Sequence, residues 1–211
     1  FEDLRRCEPE YCANAVCNAG CHFGVRHVRF MEILSSYEHF HNHSTPIYFV
    51  TIVHPLWKRE VGELADINIA AAQQWNYLRL KSLGPGVKSK GIFEASLNHE
   101  IDGSFHWAGQ IHQIVTGASK KALHNAFALP PRYHQDNARP KVIEPVANLG
   151  KQLGYCLKRL VEMRRAYTDR TGRKNRKHLP PSKKRWAEYD LWLLQLPVRA
   201  RIITYGFRSN K

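Results

Sequence analysis

The chain has 211 residues, of which 43% are apolar and 24% are charged, a composition typical of a folded protein with one sizeable core. Its formal net charge of +14 favours an anionic partner such as nucleic acid. No run of about 18 apolar residues occurs and FEDLRRCEPE lacks the pattern of a secretory signal, so we expect a cytoplasmic protein with no membrane partner.

Four of the five cysteines fall within the first 21 residues, at Cys7, Cys12, Cys17 and Cys21. In a chain without a secretory signal, clustered thiols are more typical of metal binding than of disulfides. Four thiolates match the tetrahedral coordination that structural Zn²⁺ prefers. We therefore predict a small zinc knuckle over residues 1–30, in which His22 or His27 could replace one thiol. Reduced, buried cysteines are the alternative.

The elements after this cluster alternate between helical and extended patterns. Apolar residues spaced by three and four predict helices, whereas β-branched or alternating segments predict strands. In chain order, the pattern predicts a helix over 23–37, a central strand over 47–53, a helix over 60–80, a hairpin of 91–99 and 105–117, helices over 119–129 and 145–166, a basic linker to Trp186, a helix over 186–196 and a strand over 200–208. This order indicates an α+β fold on an antiparallel sheet.

Polar side chains recur on one side of the predicted hairpin. Gln110 and His112 lie two residues apart and therefore share a face, and Glu94 is the only carboxylate in GIFEASLNH. A two-residue turn would set Phe93 opposite His112, and a bulge at Ala108-Gly109 would bring Glu94 there instead. Carboxylate, amide and imidazole together suit Mg²⁺ or Mn²⁺ better than zinc. A half-exposed hairpin with polar groups facing water is the alternative.

A tyrosine stands apart from the apolar stripe of the predicted helix over 145–166. At 100° per residue, Tyr155 lies about 200° from Leu153 and on the same side as Lys151 and Lys158. Neighbouring cations favour the phenolate and attract phosphate. A tyrosine that attacks a phosphodiester needs such a setting and a metal on the phosphate. An ordinary surface tyrosine is the alternative.

The positive charge is concentrated in residues 151–211, which hold 17 Lys and Arg against 4 Asp and Glu. Tyr167 and Trp186 interleave these cations, a pattern that favours nucleic-acid binding over a merely solvated surface. The residues expected to contact DNA are Lys151, Arg164, Arg165, Arg173, Lys174, Arg176, Lys177, Lys183, Lys184 and Arg185.

Three segments carry recognisable motifs: IYFVTIVHP with Thr51, FEASLNHEIDGSFHWAGQIHQIV with Glu94 and Gln110-Ile111-His112, and GYCLKRL with Tyr155 and Lys158. Their order and combination resemble the HUH endonucleases, a superfamily of rolling-circle replication initiators and related single-strand transposases. In that superfamily, two histidines flank a bulky apolar residue on the hairpin. This chain departs from the pattern because Gln110 replaces the first histidine, and His106 or His99 could complete the metal shell instead.

The resemblance implies a fold and an activity. The fold would be a ferredoxin/RRM-like palm, with a catalytic domain over 31–166 and a basic DNA-binding segment over 167–211 whose helix and final strand pack on it. Glu94, Gln110 and His112 would hold Mg²⁺ or Mn²⁺ against a phosphate of single-stranded DNA. Tyr155 would attack that phosphate to leave a 5′-phosphotyrosine link, and Lys158 would steady the phosphate or the phenolate.

The expected function is therefore site-specific nicking and joining of single-stranded or hairpin DNA, in replication initiation or transposition of a mobile element. The chain has no helicase motif, so a host helicase is an expected partner. The main alternative is a non-catalytic, zinc-stabilised DNA- or RNA-binding protein. A zinc hydrolase is less favoured because no HExxH-type ligand set is present.

Overall fold

The computed structural model describes residue 40 and residues 45–131, 140–156, 163–196 and 198–207. Its strands are β1 (Ile47–Glu60), β2 (Lys88–His99), β3 (Phe105–Thr116), β4 (Lys141–Pro145), β5 (Met163–Thr168), β6 (Lys174–Leu179) and β7 (Ile202–Tyr205). Its α-helices are α1 (Ile69–Lys81), α2 (Lys120–Ala126), α3 (Leu149–Cys156) and α4 (Lys183–Leu194). The predicted α+β class is confirmed. The predicted zinc knuckle over 1–30 and the predicted helix over 23–37 lie outside the described residues.

The strands form a seven-stranded sheet in the order β4-β1-β3-β2-β5-β6, and β7 also pairs with β2. All pairs are antiparallel except β2 with β5, which run parallel over Leu97–His99 and Met163–Arg165. The strands β7 and β5 therefore share one edge of β2, with β7 at Ser89–Ile92. This arrangement leaves β3 in the middle of the sheet, between β1 and β2.

Side chains alternate between two faces of the sheet. The core face carries Phe93 and Ile111, which are fully buried against the helices α1, α2 and α4. The opposite face, here named the α3 face, carries Ile114 and packs against Leu153 of α3 in a smaller apolar cluster. The larger core accounts for most of the apolar burial, so the α3 face has room for polar groups.

The first strand is longer than predicted. It continues past Val53 to Glu60, and its pairing with β3 is irregular between Val53 and Lys58. Pro55 lies within this irregular stretch, where its missing N–H interrupts no ladder bond. Across from it, a Cβ on Gly109 would lie 2.7 Å from Trp57 Cβ and 2.6 Å from Phe93 Cζ. The bulge thus belongs to β1, and Gly109 makes room for its tryptophan.

The predicted helix over 145–166 is wrong at both ends. Pro145 ends β4, and the helix begins only at Leu149, after Asn148 accepts a hydrogen bond from the Lys151 backbone N–H. At the other end, Met163–Thr168 is a strand that pairs with β2 and β6. Such pairing is non-local, and it overrides the helical spacing of apolar residues.

The predicted basic linker is also wrong, because it forms the β5–β6 hairpin. The side chain of Asp169 closes the turn by accepting hydrogen bonds from the backbone N–H groups of Thr171 and Arg173. Gly172 provides the positive φ of +78° that the turn requires. The predicted boundary between residues 166 and 167 falls inside β5.

Candidate functional site

The hairpin of β2 and β3 places the predicted metal ligands. Its pairing runs without a bulge from Lys88↔Thr116 to His99↔Phe105, with Glu94 opposite Gln110 and Ile92 opposite His112. Both predicted registers are wrong, because the connection Glu100–Ser104 has five residues instead of two. With this loop, Glu94 reaches the α3 face together with Gln110 and His112, and no irregularity at Ala108-Gly109 is needed.

One carboxylate oxygen joins the three side chains. Glu94 Oε1 accepts a hydrogen bond of 2.7 Å from Gln110 Nε2 and lies 3.0 Å from His112 Nε2. On the far side of the imidazole, Nδ1 lies 2.9 Å from the hydroxyl of Thr51, the residue opposite His112 on β1. Three adjacent strands therefore contribute to one hydrogen-bonded row.

The row is removed from solvent. Glu94, Gln110 and His112 are 5%, 1% and 2% exposed. Burial of a carboxylate is costly unless hydrogen bonds or a cation compensate it, and here an amide N–H and an imidazole approach the same oxygen. The row is thus compensated at Glu94.

Gln110 is compensated only in part, because its Oε1 is buried and has no hydrogen-bond partner. Exchanging the amide oxygen and nitrogen would not help, since it would set the oxygen against the Glu94 carboxylate. An unsatisfied buried acceptor costs about 1–3 kcal/mol. A carboxylate oxygen, an unused amide oxygen and an imidazole nitrogen are the donor types that divalent cations such as Mg²⁺ and Mn²⁺ accept. The residues present therefore fit such a cation.

Tyr155 of α3 lies against this row. Its ring meets the His112 imidazole edge-on, with 5.2 Å between centroids, and meets the Phe49 ring at 5.7 Å. Phe49 also stacks on His112, at 5.9 Å. Tyr155 is half-buried and Lys151 is exposed on the same helix. The structure brings together Tyr155 and the three predicted ligands, whereas Lys158 and the four clustered cysteines lie outside the described residues.

The other histidines considered for the metal shell lie elsewhere. His99 points to the core face, where it stacks on Phe105 at 4.1 Å. His106 is on the α3 face but four residues from Gln110, about 13 Å along the strand. Burial, reinforced by Lys58, lowers the pKa of His106 to about 4. Neither histidine can join Glu94 in one coordination shell.

A second polar cluster on the core face was missed by sequence reasoning. The amide groups of Gln113 and Asn76 exchange hydrogen bonds of 3.1 and 2.8 Å, and the Ser89 hydroxyl donates to Gln113 at 2.7 Å. All three residues are buried, and each of these amide atoms has a partner. The sequence did contain a signal for this cluster, because Gln113 lies two residues from Ile111 and therefore shares the core face of β3 with it. This cluster anchors α1 to the sheet, and both the oxygen and the nitrogen of the Gln113 amide have a partner.

The cations expected to contact DNA lie in different settings. By register, Arg164 lies on the α3 face beside Asn98, and Arg165 and Lys177 lie on the opposite face. Arg176 is paired with Glu100 at 3.0 Å and with Asn98 Oδ1 at 3.0 Å, which offsets its charge. Arg173 and Lys174 are exposed where β6 begins. Lys183, Lys184 and Arg185 occupy the first turn of α4, and of these three only Arg185 is half-buried.

Tyr167 and Tyr189 are further tyrosines whose residue type would suit a second nucleophile. Tyr189 is 2% exposed and stacks on Trp107 in the core, so its position does not suit it for attack. Tyr167 is 41% exposed on β5 but lies opposite Asn175 on the face away from Glu94. Tyr155 is the tyrosine that contacts the row of ligands within the described part of the chain.

None of the helices in the described ranges has the length and apolar character needed to cross a membrane. Comparison of the chain with known protein-family models, with curated proteins and with solved structures finds no match.

Proposed function

We propose that this protein is a metal-dependent enzyme that nicks and rejoins single-stranded DNA through a tyrosine. The observation that carries the proposal is the contact between Tyr155 and His112, whose imidazole also adjoins Glu94 and Gln110. A candidate nucleophile and a candidate cation site thus adjoin each other although 43 positions separate Tyr155 and His112 in the chain. A surface tyrosine or a solvated hairpin would not require that proximity.

Glu94 Oε1, Gln110 Oε1 and His112 Nε2 would hold Mg²⁺ or Mn²⁺. When bound, the cation would supply Lewis-acid polarisation of the scissile phosphate. The Thr51 hydroxyl adjoins His112 Nδ1, and by accepting a hydrogen bond from Nδ1–H it would leave Nε2 unprotonated and able to act as a ligand. Thr51 is therefore proposed as a positioning residue.

Tyr155 would supply the nucleophile. Its oxygen forms a bond to phosphorus, the bond from phosphorus to the 3′ oxygen breaks, and the phenolic proton ends on that released oxygen. The product is a 5′-phosphotyrosine link and a free 3′-hydroxyl. Because a phosphodiester is exchanged for a phosphodiester, the reverse attack by a 3′-hydroxyl rejoins the strand. Lys158 is proposed to steady the phosphate or the phenolate.

The remaining expectations belong to the same proposal. The mostly antiparallel sheet with α3 on its ligand-bearing face supports a ferredoxin/RRM-like palm. The basic residues of β5, β6 and α4 would contact the DNA backbone, and a host helicase would separate the strands. Cys7, Cys12, Cys17 and Cys21 would hold a structural Zn²⁺, which elemental analysis of the purified chain can test.

A non-catalytic nucleic-acid-binding protein is the second candidate, and the burial of the ligand row favours it. Glu94, Gln110 and His112 are each at least nine-tenths buried, so DNA must displace part of what covers them before a phosphate makes contact. A purely structural hydrogen-bonded row would need no such access. The two candidates differ in whether a covalent product forms.

The deciding experiment incubates the full chain with a 3′-labelled pool of random single-stranded oligonucleotides, with and without Mn²⁺. We expect a denaturation-resistant protein–DNA adduct only with Mn²⁺, and peptide mass spectrometry should place the nucleotide on Tyr155. Binding without any adduct would favour the non-catalytic candidate. An adduct that maps to Tyr167 would contradict the assignment of the nucleophile.

A further inference from the structure

Within the described part of the chain, three buried side-chain atoms have no hydrogen-bond partner: Gln110 Oε1, Ser96 Oγ and Arg164 Nε. Buried polar groups in folded proteins are usually satisfied, and each exception calls for an explanation such as a catalytic role or a bound ion. The amide oxygen of Gln110 belongs to the proposed cation site. The hydroxyl and the guanidinium have no role in the proposed cation site.

All three residues lie on the α3 face. Ser96 follows Glu94 by two positions on β2, and Arg164 is the β5 partner of Asn98. At about 3.4 Å per residue, Ser96 lies about 7 Å from Glu94 along the strand, and Asn98 lies about 7 Å further on. The unsatisfied groups therefore follow one line from the cation site toward β5.

The chemistry changes along this line. The unused group of Gln110 is an acceptor, which suits a cation. The guanidinium of Arg164 offers only donors and the hydroxyl of Ser96 can donate, and together they suit an anionic oxygen. The acceptor end of this line, at Gln110, suits a metal ion that contacts one phosphate. The donor end, at Ser96 and Arg164, suits the next phosphate of the same strand.

Neighbouring cations do not compete for this role. The Arg176 guanidinium on the same face is occupied by Glu100 and by the side chain of Asn98, with distances of 3.0 and 3.0 Å. Arg164 Nε has no hydrogen-bond partner among the described residues. This N–H of the half-buried Arg164 is thus a donor that a ligand can use.

We propose that Ser96 and Arg164 form a subsite for the phosphodiester adjacent to the scissile one. This inference rests on the proposed function, because it takes single-stranded DNA as the ligand. The subsite would hold the strand so that its neighbouring phosphate lies between the cation site and Tyr155. Ser96 and Arg164 would then set the position of cleavage along the strand.

The experiment measures binding of a fluorescent thymidine oligonucleotide to the full chain without added divalent metal, over a range of salt concentrations. Arg164→Gln should weaken binding about tenfold, which is about 1.4 kcal/mol, and should reduce the salt slope by about 0.7. Ser96→Ala should weaken binding about threefold without changing the slope, because no charge is lost. Arg79→Gln on α1 is the charge-matched control and should change neither.

Three further measurements separate a ligand contact from a structural role. Ser96→Ala removes an unsatisfied buried hydroxyl, so its thermal midpoint should be equal to or above that of the wild type. The double variant should lose less affinity than the sum of the single losses, because both groups hold one phosphate. On an uncharged methylphosphonate oligonucleotide, Arg164→Gln and wild type should bind alike.

The outcomes distinguish the two proposals. If DNA binds and the Tyr155 adduct forms, but Arg164→Gln behaves like Arg79→Gln, the subsite is wrong and the proposed function stands. If Ser96→Ala lowers the thermal midpoint and leaves affinity unchanged, Ser96 is structural and the subsite is wrong. If the wild-type chain binds no single-stranded DNA, the proposed function fails and the subsite fails with it.

Discussion

The ring of Tyr155 meets the imidazole of His112 edge-on, at an interplanar angle of 85° and a centroid distance of 5.2 Å. Tyr155→Phe keeps this contact and the contact to Phe49 while removing the hydroxyl. We therefore expect the free energy of unfolding to stay within about 0.5 kcal/mol of wild type, and DNA affinity to be unchanged. The covalent adduct should disappear. Gel electrophoresis under denaturing conditions measures it.

Tyr167→Phe is the matched control, because Tyr167 is an exposed tyrosine on the other face of the sheet. This variant should form the adduct at the wild-type rate. An adduct that persists in Tyr155→Phe and vanishes in Tyr167→Phe would move the nucleophile to β5.

The unused oxygen of Gln110 leads to a prediction about metal affinity. Mn²⁺ should bind one site in the wild type, as measured by electron paramagnetic resonance, and should raise the stability by about 2.7 kcal/mol at a hundredfold excess over Kd. Gln110→Leu should weaken Mn²⁺ binding strongly, whereas in the metal-free chain the lost hydrogen bond to Glu94 Oε1 is partly offset by removal of the unsatisfied Gln110 Oε1. His112→Ala should abolish both binding and metal-dependent cleavage.

Gln113→Leu makes the same substitution on the opposite, core face of β3 and serves as the contrast to Gln110→Leu. Both amide atoms of Gln113 are hydrogen-bonded to buried partners, Asn76 and Ser89, so this variant should lose stability with or without Mn²⁺. Mn²⁺ titrations that do not distinguish Gln110→Leu from wild type would show that the amide oxygen is no ligand.

Local periodicity was enough to predict which side chains share a face. The strand period of two places Gln110 with His112, and the ladder has both beside Glu94. Helical spacing placed Tyr155 away from Leu153, and the structure has Leu153 fully buried and Tyr155 half-buried against His112. These parts of the candidate site could be predicted because they depend only on the spacing of residues within one strand or one helix.

Register and pairing could not be predicted in the same way. The register of β2 against β3 depends on the length of the Glu100–Ser104 loop, and an error of one residue moves every side chain to the other face. The β5 strand depends on edge pairing with β2, whose partner segment lies more than sixty positions earlier in the chain. Apolar spacing in Met163–Thr168 carries no information about that partner.

The hydroxyl of Thr51 leads to a prediction about the histidine. Thr51→Val keeps the shape of the side chain but removes the group 2.9 Å from His112 Nδ1. Loss of such a partner typically reduces metal affinity about 10- to 100-fold. We expect that loss for Mn²⁺ with the secondary structure intact, as checked by circular dichroism. Thr204→Val, an exposed threonine on β7, should leave Mn²⁺ affinity unchanged.

The pairing of Arg176 with Glu100 leads to a prediction about the β5–β6 hairpin. The guanidinium bridges β6 to Asn98 and Glu100 at the end of β2, and both charged groups are about one-third exposed. Arg176→Gln should therefore cost only about 1 kcal/mol of global stability. Amide hydrogen exchange should accelerate selectively in Met163–Thr168 and Lys174–Leu179. Lys177→Gln, at the next and exposed position, should not reproduce this, and equal exchange in both variants would contradict the role of Arg176.

The buried His54 and the half-buried His106 lead to a prediction about acid stability. Burial is the main cause that lowers the pKa of His106 to about 4, and Lys58 adds to it, while Glu100 at 3.8 Å opposes it weakly because that carboxylate is already paired with Arg176. Burial and the nearby Arg79 also lower the pKa of His54. In the unfolded chain both imidazoles titrate near 6.5.

The direction of the change in the free energy of unfolding with pH follows from which state, folded or unfolded, binds more protons. Above pH 6.5 both states are neutral at these positions, and as the pH falls from about 6.5 to about 4 the unfolded chain takes up protons that the folded chain does not. The free energy of unfolding should therefore decrease over this window, by at most about 3 kcal/mol from His106. His106→Gln should flatten the curve, as measured by urea denaturation at each pH, whereas His178→Gln, at an exposed position, should not. An unchanged slope in His106→Gln would show that folding does not lower the pKa of His106.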